Sequence, residues 1–185
     1  HAASSVRLKS TYLRCYEEVV KRFGKLIGVD AWLMNPLWEL VEAAAKSHSD
    51  QPSLHTLNRT YSFAEVKRIA ENIATQLREC GLQQGDLVAT ILPNSLDWLF
   101  VLACAHEGLL SVSVYSTQHA EDLGAALVVH RDGVGHSSSI NSLAVDEHWL
   151  RKIESEVNRT PARDYDSPET LARLVLTSGT TGKAK

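Results

Sequence analysis

Cysteine is scarce in this chain and poorly spaced for structural use. Cys15, Cys80 and Cys104 are odd in number and far apart, with no Cys-x-x-Cys pair among the 185 residues. That excludes a disulfide framework or a zinc knuckle and fits a reducing, cytoplasmic compartment. Basic surplus is also missing. Lysine and arginine total 19 against 22 acidic residues, a net charge of -3, so the basic face of a nucleic-acid binder is not expected. No stretch approaches the roughly 18 apolar residues of a membrane span. The opening His1-Ala2-Ala3-Ser4-Ser5 lacks the charged and apolar regions of a secretory signal. It also lacks an initial methionine, as a processed, tagged or excised piece would. Repeats and low-complexity runs are absent. None of the eight histidines has the spacing of a His-Glu-x-x-His zinc motif, so no metal ligands are assigned. His119, His130 and His136 read as polar surface residues. Two glycosylation-type triplets, Asn58-Arg59-Thr60 and Asn158-Arg159-Thr160, read as chance matches in a cytosolic chain.

What is present is a globular composition, 44% apolar and 22% charged, enough for one domain with a sizeable core. Tyr12, Leu13, Tyr16, Val19, Val20, Phe23, Leu26 and Ile27 recur at helical spacing and predict an amphipathic helix over 6–27. Its basic flanks leave two alternatives open: packing on the domain or a partner subunit, and lying on a membrane surface. Glu17 and Glu18 on the polar face favour the first. Asn35-Pro36 opens a second helix, with asparagine as cap and proline in the first turn. Leu54–Leu57 and Tyr61–Phe63 read as a hairpin about Asn58-Arg59. Ser62 and Glu65 have capping-box spacing before a helix striped by Phe63, Val66, Ile69, Ala70, Ile73 and Leu77.

From there strands and helices alternate. Strands are expected at 87–92, 109–115, 127–130 and 171–176, and helices at 95–107, around 119–126 and at 146–157. Residues 131–142 leave two readings open, a Gly/Ser-rich surface loop or a stretch with residues missing nearby. The rhythm predicts an α/β fold with a mostly parallel sheet flanked by helices, whose ligands bind at the carboxyl ends of the strands. Trp32, Trp38, Trp98 and Trp149 are expected to pack in the core or against a subunit.

The last nine residues carry the strongest chemical signal. Thr177-Ser178-Gly179-Thr180-Thr181-Gly182-Lys183-Ala184-Lys185 combines hydroxyl donors, permissive glycines and two lysines directly after an apolar strand. Such a loop can hold a polyphosphate. It is not a Walker A loop, because Thr177 stands where the first glycine belongs and Ala184 where the hydroxyl belongs. Ser178 does not sit in the Gly-x-Ser-x-Gly elbow of a hydrolase.

This run resembles the phosphate-loop signature of the adenylate-forming (AMP-binding) enzymes, which include acyl-CoA synthetases, peptide-synthetase adenylation domains and luciferases. Three upstream blocks resemble the same family in the same order. They are Thr60-Tyr61-Ser62-Phe63-Ala64-Glu65-Val66 (the "T-Y-x-x-L" entry to the first core helix), Gly85–Ala89 with Leu92–Ser95, and Ala103–Gly108. The resemblance implies a helical arm at 1–34 and, at 35–185, the first part of a large N-terminal AMP-binding domain, ending within the phosphate loop.

It also implies a function. Family members activate a carboxylic acid with ATP and magnesium to acyl-AMP and pass the acyl group to a thiol, usually coenzyme A. By match to the motif, Thr177, Ser178, Thr180, Thr181, Lys185 and the backbone of Gly179 and Gly182 would hold the phosphates. Lys183 stands at a variable position, and Ala184 replaces the usual proline. The adenine contacts, most of the acyl pocket and the catalytic lysine come later in family members, so no catalytic residue is assigned and residues 1–185 alone are expected to be inactive. Ser111–Thr117 with Ala120-Glu121 resembles the "V-P-x-Y-x-T … A-E" run of long-chain acyl-CoA synthetases, with Ser113 in place of proline. Expected partners are the small carboxylic acid, a second copy of the chain or, through the arm, a membrane surface. The competing reading is a non-catalytic scaffold or lipid-sensing module that retains the fold.

Overall fold

A computed structural model describes residues 36–56, 58–131, 140–157, 160–163 and 173–174. The helix expected over 6–27, Cys15, Trp32 and Thr177–Lys185 lie outside the described residues.

Helix α1 (Pro36–Ser47) comes first. Strands β1 (Pro52–His55) and β2 (Thr60–Ser62) form an antiparallel hairpin, as the sequence leads one to expect, with Phe63 passing to the next helix. That helix, α2 (Phe63–Glu79), is closed at its start by the expected capping box. Ser62 Oγ accepts from the Glu65 N–H at 3.3 Å, and Glu65 Oε2 accepts from the Ser62 N–H at 2.9 Å. Two of the helix's orphan donors are thereby satisfied. Its stripe of Val66, Ile69, Ala70, Ile73 and Leu77 is buried.

Then follow β3 (Leu87–Ile91), α3 (Asn94–Glu107), β4 (Leu110–Ser113), α4 (Thr117–Asp122), β5 (Leu127–His130), β6 (Asn141–Ala144), α5 (Glu147–Ser155) and β7 (Arg173–Leu174). The five strands from β3 onward form one sheet in the order β6-β5-β3-β4-β7, and every pairing is parallel. Between α3 and β4 the chain turns at Gly108, at φ +68. A Cβ there would lie 2.9 Å from Gln84 Cγ, so both the backbone and the space call for glycine.

Alternation along the strands splits the core in two. Leu127, Val129 and Val88 face a cluster with α1, α2, α3 and α5, which includes Trp38, Ile73, Phe100 and Ile153. Ala89, Val112 and Val128 face a smaller cluster with Ala120 of α4. Helix α3 is buried around most of its circumference, as a helix wedged between sheet and outer helices must be. Successive crossovers from β3 to β4 and from β4 to β5 place α3 and α4 on opposite faces of the sheet, as right-handed connections require when the chain reverses its direction across the sheet.

Three expectations need correction. The helix placed around 119–126 runs instead over Thr117–Asp122. Ser116 Oγ accepts from the His119 N–H, and Gly124 at φ +72 turns the chain before β5. The segment 131–142 is not all loop, because Asn141 begins β6, which pairs along β5. It escaped detection because Asn-Ser-Leu-Ala is polar and mostly exposed on an edge strand. His130 is not at the surface. It is fully buried at the end of β5, a strand covered on both faces.

Candidate functional site

Parallel strands direct their carboxyl ends to one edge of the sheet, and the loops there are the usual seat of ligands. At that edge β3 passes through Pro93 into α3, β4 passes through Val114 and Tyr115 towards α4, and β7 leads in sequence to Thr177–Lys185. Tyr115 is almost wholly exposed and Trp98, in the first turn of α3, is half exposed. Trp98 is therefore not a core residue, and of the two expected placements only packing against a subunit is left for it. Trp38 is a core residue, and Trp149 packs against the same core, its ring stacked on Phe100 with centroids 5.8 Å apart.

Beneath this edge lies a polar cluster that sequence reasoning did not find. Asp97, in the first turn of α3, is buried. Its Oδ1 accepts from the Thr90 hydroxyl of β3. Its Oδ2 accepts from the Ser113 hydroxyl of β4 at 2.9 Å and from Arg173 Nη2 of β7 at 2.9 Å. The same Arg173 nitrogen donates to Ser113 Oγ at 2.8 Å. One carboxylate thus joins three adjacent strands and a helix. A buried acid is tolerable only when paired and saturated with donors, as here. The signal available in sequence was faint: four polar residues spread from 90 to 173, brought together only by the crossovers.

A cavity of ≈ 270 Å³ is lined by Pro93, Ser95 and Arg131 from the loop ends, by partly buried Tyr61, Trp149 and Glu154, and by buried Ile73 and Ile153. The Tyr61 hydroxyl donates to Glu154 at 2.5 Å. Burial first, and that bond second, push the phenol up to about 12. At this size the cavity falls below the roughly 300 Å³ at which small-molecule pockets begin.

A second polar cluster sits at the opposite, amino-terminal edge. Glu107 at the end of α3 is almost fully buried. It accepts from Arg78 of α2 through two nitrogens at 2.7 and 2.8 Å, forms an ion pair with Arg163 at 3.0 Å, and lies 2.8 Å from His106 Nδ1. Burial pushes its pKa up, but hydrogen bonds from His106 and Arg78 and the charge of Arg78 outweigh burial and hold it below the ordinary 4.5. This cluster lies away from the carboxyl edge. Cys104 is fully buried, and burial pushes its thiol well up, so it is no nucleophile. Among the described residues no three histidine, cysteine or acidic side chains gather as a metal site, and no helix is long and apolar enough to cross a membrane.

A parallel sheet with this edge and this motif defines a class, and comparison with known proteins agrees. A profile for the AMP-binding enzymes matches residues 41–185; the chain belongs to that family, the adenylate-forming superfamily. Among particular relatives, it is 42% identical over 160 residues to 4-coumarate–CoA ligase from Pinus taeda, covering 74% of this chain and 30% of the ligase. It is 27% identical over 168 residues to surfactin synthase subunit 1 of Bacillus subtilis, covering 80% of this chain and 4% of that protein. The fold matches O-succinylbenzoate–coenzyme A synthetase from Bacillus subtilis, solved with AMP, at a TM-score of 0.65 and 22% identity, over 80% of this chain and 40% of the synthetase. The chain therefore spans less than a third of the two curated relatives.

Proposed function

We propose that the polypeptide carrying this domain is an ATP-dependent, AMP-forming ligase that activates a carboxylic acid as its acyl-AMP and passes the acyl group to a thiol, with coenzyme A as the acceptor. The observation that carries this is the family match over residues 41–185, which takes in the whole hydroxyl- and lysine-rich run. Thr177, Ser178, Thr180, Thr181 and Lys185, with the backbone of Gly179 and Gly182, are assigned to the β- and γ-phosphates. Donors fixed around departing pyrophosphate stabilise charge where it develops. Magnesium would come with the nucleotide and would neutralise charge on the phosphates that this run would hold. The run Ser111–Thr117 favours a long-chain acyl substrate over an aryl or amino acid. The assigned compartment is the cytoplasm, with a membrane surface in reach of the residues 1–34.

The test is ATP–pyrophosphate exchange by the whole polypeptide with palmitate, coumarate and a panel of amino acids. Exchange driven best by palmitate is the expected result. Exchange with coumarate alone would replace the acyl reading, and none with any acid would favour a non-catalytic role.

A further inference from the structure

We infer that Arg173, Asp97 and Ser113 form a clamp that sets the position of the chain leaving β7, and hence of the phosphate-binding run four residues on. The inference rests on the ligase reading for its catalytic consequence but not for its geometry.

The described part of β7 pairs with β4 through Ser111↔Arg173 and Val112↔Leu174. The side chain of Arg173 adds a polar anchor to that pairing. Its Nη2 reaches across β4 to both Asp97 Oδ2 and Ser113 Oγ, and its Nη1 is buried with no hydrogen-bond partner. The whole polar hold on the guanidinium among the described residues is thus through one nitrogen. Asp97 is itself rigid, because it sits in the first turn of the buried helix α3 and accepts from Thr90 in the central strand. A charge-assisted bond to a carboxylate fixed in this way is directional and strong.

Ser113 gives the argument its specificity. It stands where the resembled acyl-CoA synthetase run has proline, and proline has no hydroxyl to bridge Asp97 and Arg173. Read as a departure from the pattern, Ser113 looks like drift; read in the structure, it is a member of the clamp. The role of all three is positioning. None is placed on substrate, and each acts through the strand that delivers Thr177–Lys185.

The test compares wild type with Asp97→Asn, Arg173→Gln, the double variant, Arg173→Lys and the milder Ser113→Ala, all in the whole polypeptide. Two readouts are taken: deuterium uptake by peptides covering 171–185, and ATP–pyrophosphate exchange. Each of the first two single changes is expected to speed uptake in those peptides by about tenfold. Each should also slow exchange at saturating substrates by about tenfold, with the KM of the acid moving less than twofold. The double variant should be no worse than the poorer single, because both remove the same contact, and Arg173→Lys should recover part of the loss. Additive single effects, or uptake over 171–185 unchanged in both Asp97→Asn and Arg173→Gln, would overturn the clamp. Should Asp97→Asn fail to fold, Ser113→Ala with unchanged uptake does the same. Absence of exchange in wild type would sink the ligase reading alone, since uptake still decides the clamp.

Discussion

Lys183 and Lys185 stand two residues apart in one run, yet they are expected to contribute differently. Lys185 matches the family's motif lysine, and the charge it would meet grows as pyrophosphate departs. Its contribution therefore belongs to the transition state rather than to binding. Lys185→Ala is expected to lower the rate of adenylation by about 10²–10³, roughly 3–4 kcal/mol, as loss of a single electrostatic donor does elsewhere. Lys183→Ala should cost less, because its position varies in the family's motif. Pyrophosphate-release kinetics at saturating magnesium-ATP decide the matter, and equal small effects would remove both lysines from the phosphates. At this scale the sequence was informative where chemistry is local. The capping box of Ser62 and Glu65 was readable because its partners are three residues apart. His130 was misread because an imidazole carries no local mark of burial; its strand is covered on both sides only once α4 and the outer helices close on it.

Between elements, the strongest polar join is Glu107, which ties α3 to α2 through Arg78 and to residues 160–163 through Arg163. Removing its charge leaves two arginines facing a neutral amide in a buried site. Glu107→Gln is expected to cost about 3–5 kcal/mol of stability, the range for breaking one side of a buried ion pair. The sign of the pH dependence follows from its depressed pKa. The carboxylate's contribution is complete above its unfolded value near 4.5 and is lost as pH falls through the lower folded value. Denaturant titrations of wild type and Glu107→Gln should therefore differ most near neutral pH and converge as pH falls below the depressed folded pKa. A constant difference across that range would mean that the lost term is shape and not charge. Element boundaries show the same division. Helix α2 and strands β3 and β5 were legible from apolar pattern, whereas β6 was not, since an exposed edge strand satisfies its backbone against β5 without any apolar period of its own.

For the whole molecule, the chain matches 30% of the length of 4-coumarate–CoA ligase from Pinus taeda. The resemblance to the adenylate-forming enzymes implies that the groups that grip adenine and the catalytic lysine lie outside residues 1–185. Residues 1–185 prepared alone are accordingly expected to give no ATP–pyrophosphate exchange with any fatty acid, while the whole polypeptide does. Exchange above background by residues 1–185 would show that a complete adenylation site lies within them. The sequence by itself determined the α/β class, the succession of elements from α2 to β5 and the family, because each is written in local periodicity, caps and contiguous motifs. Tertiary structure alone decided the strand order β6-β5-β3-β4-β7, the splitting of the core between two faces, and the meeting of Asp97, Ser113 and Arg173 beneath the carboxyl edge. The physical reason is distance along the chain. Asp97 and Arg173, 76 positions apart, share a hydrogen bond only because parallel crossovers return the chain to the same edge, and no short window of sequence records where a crossover lands.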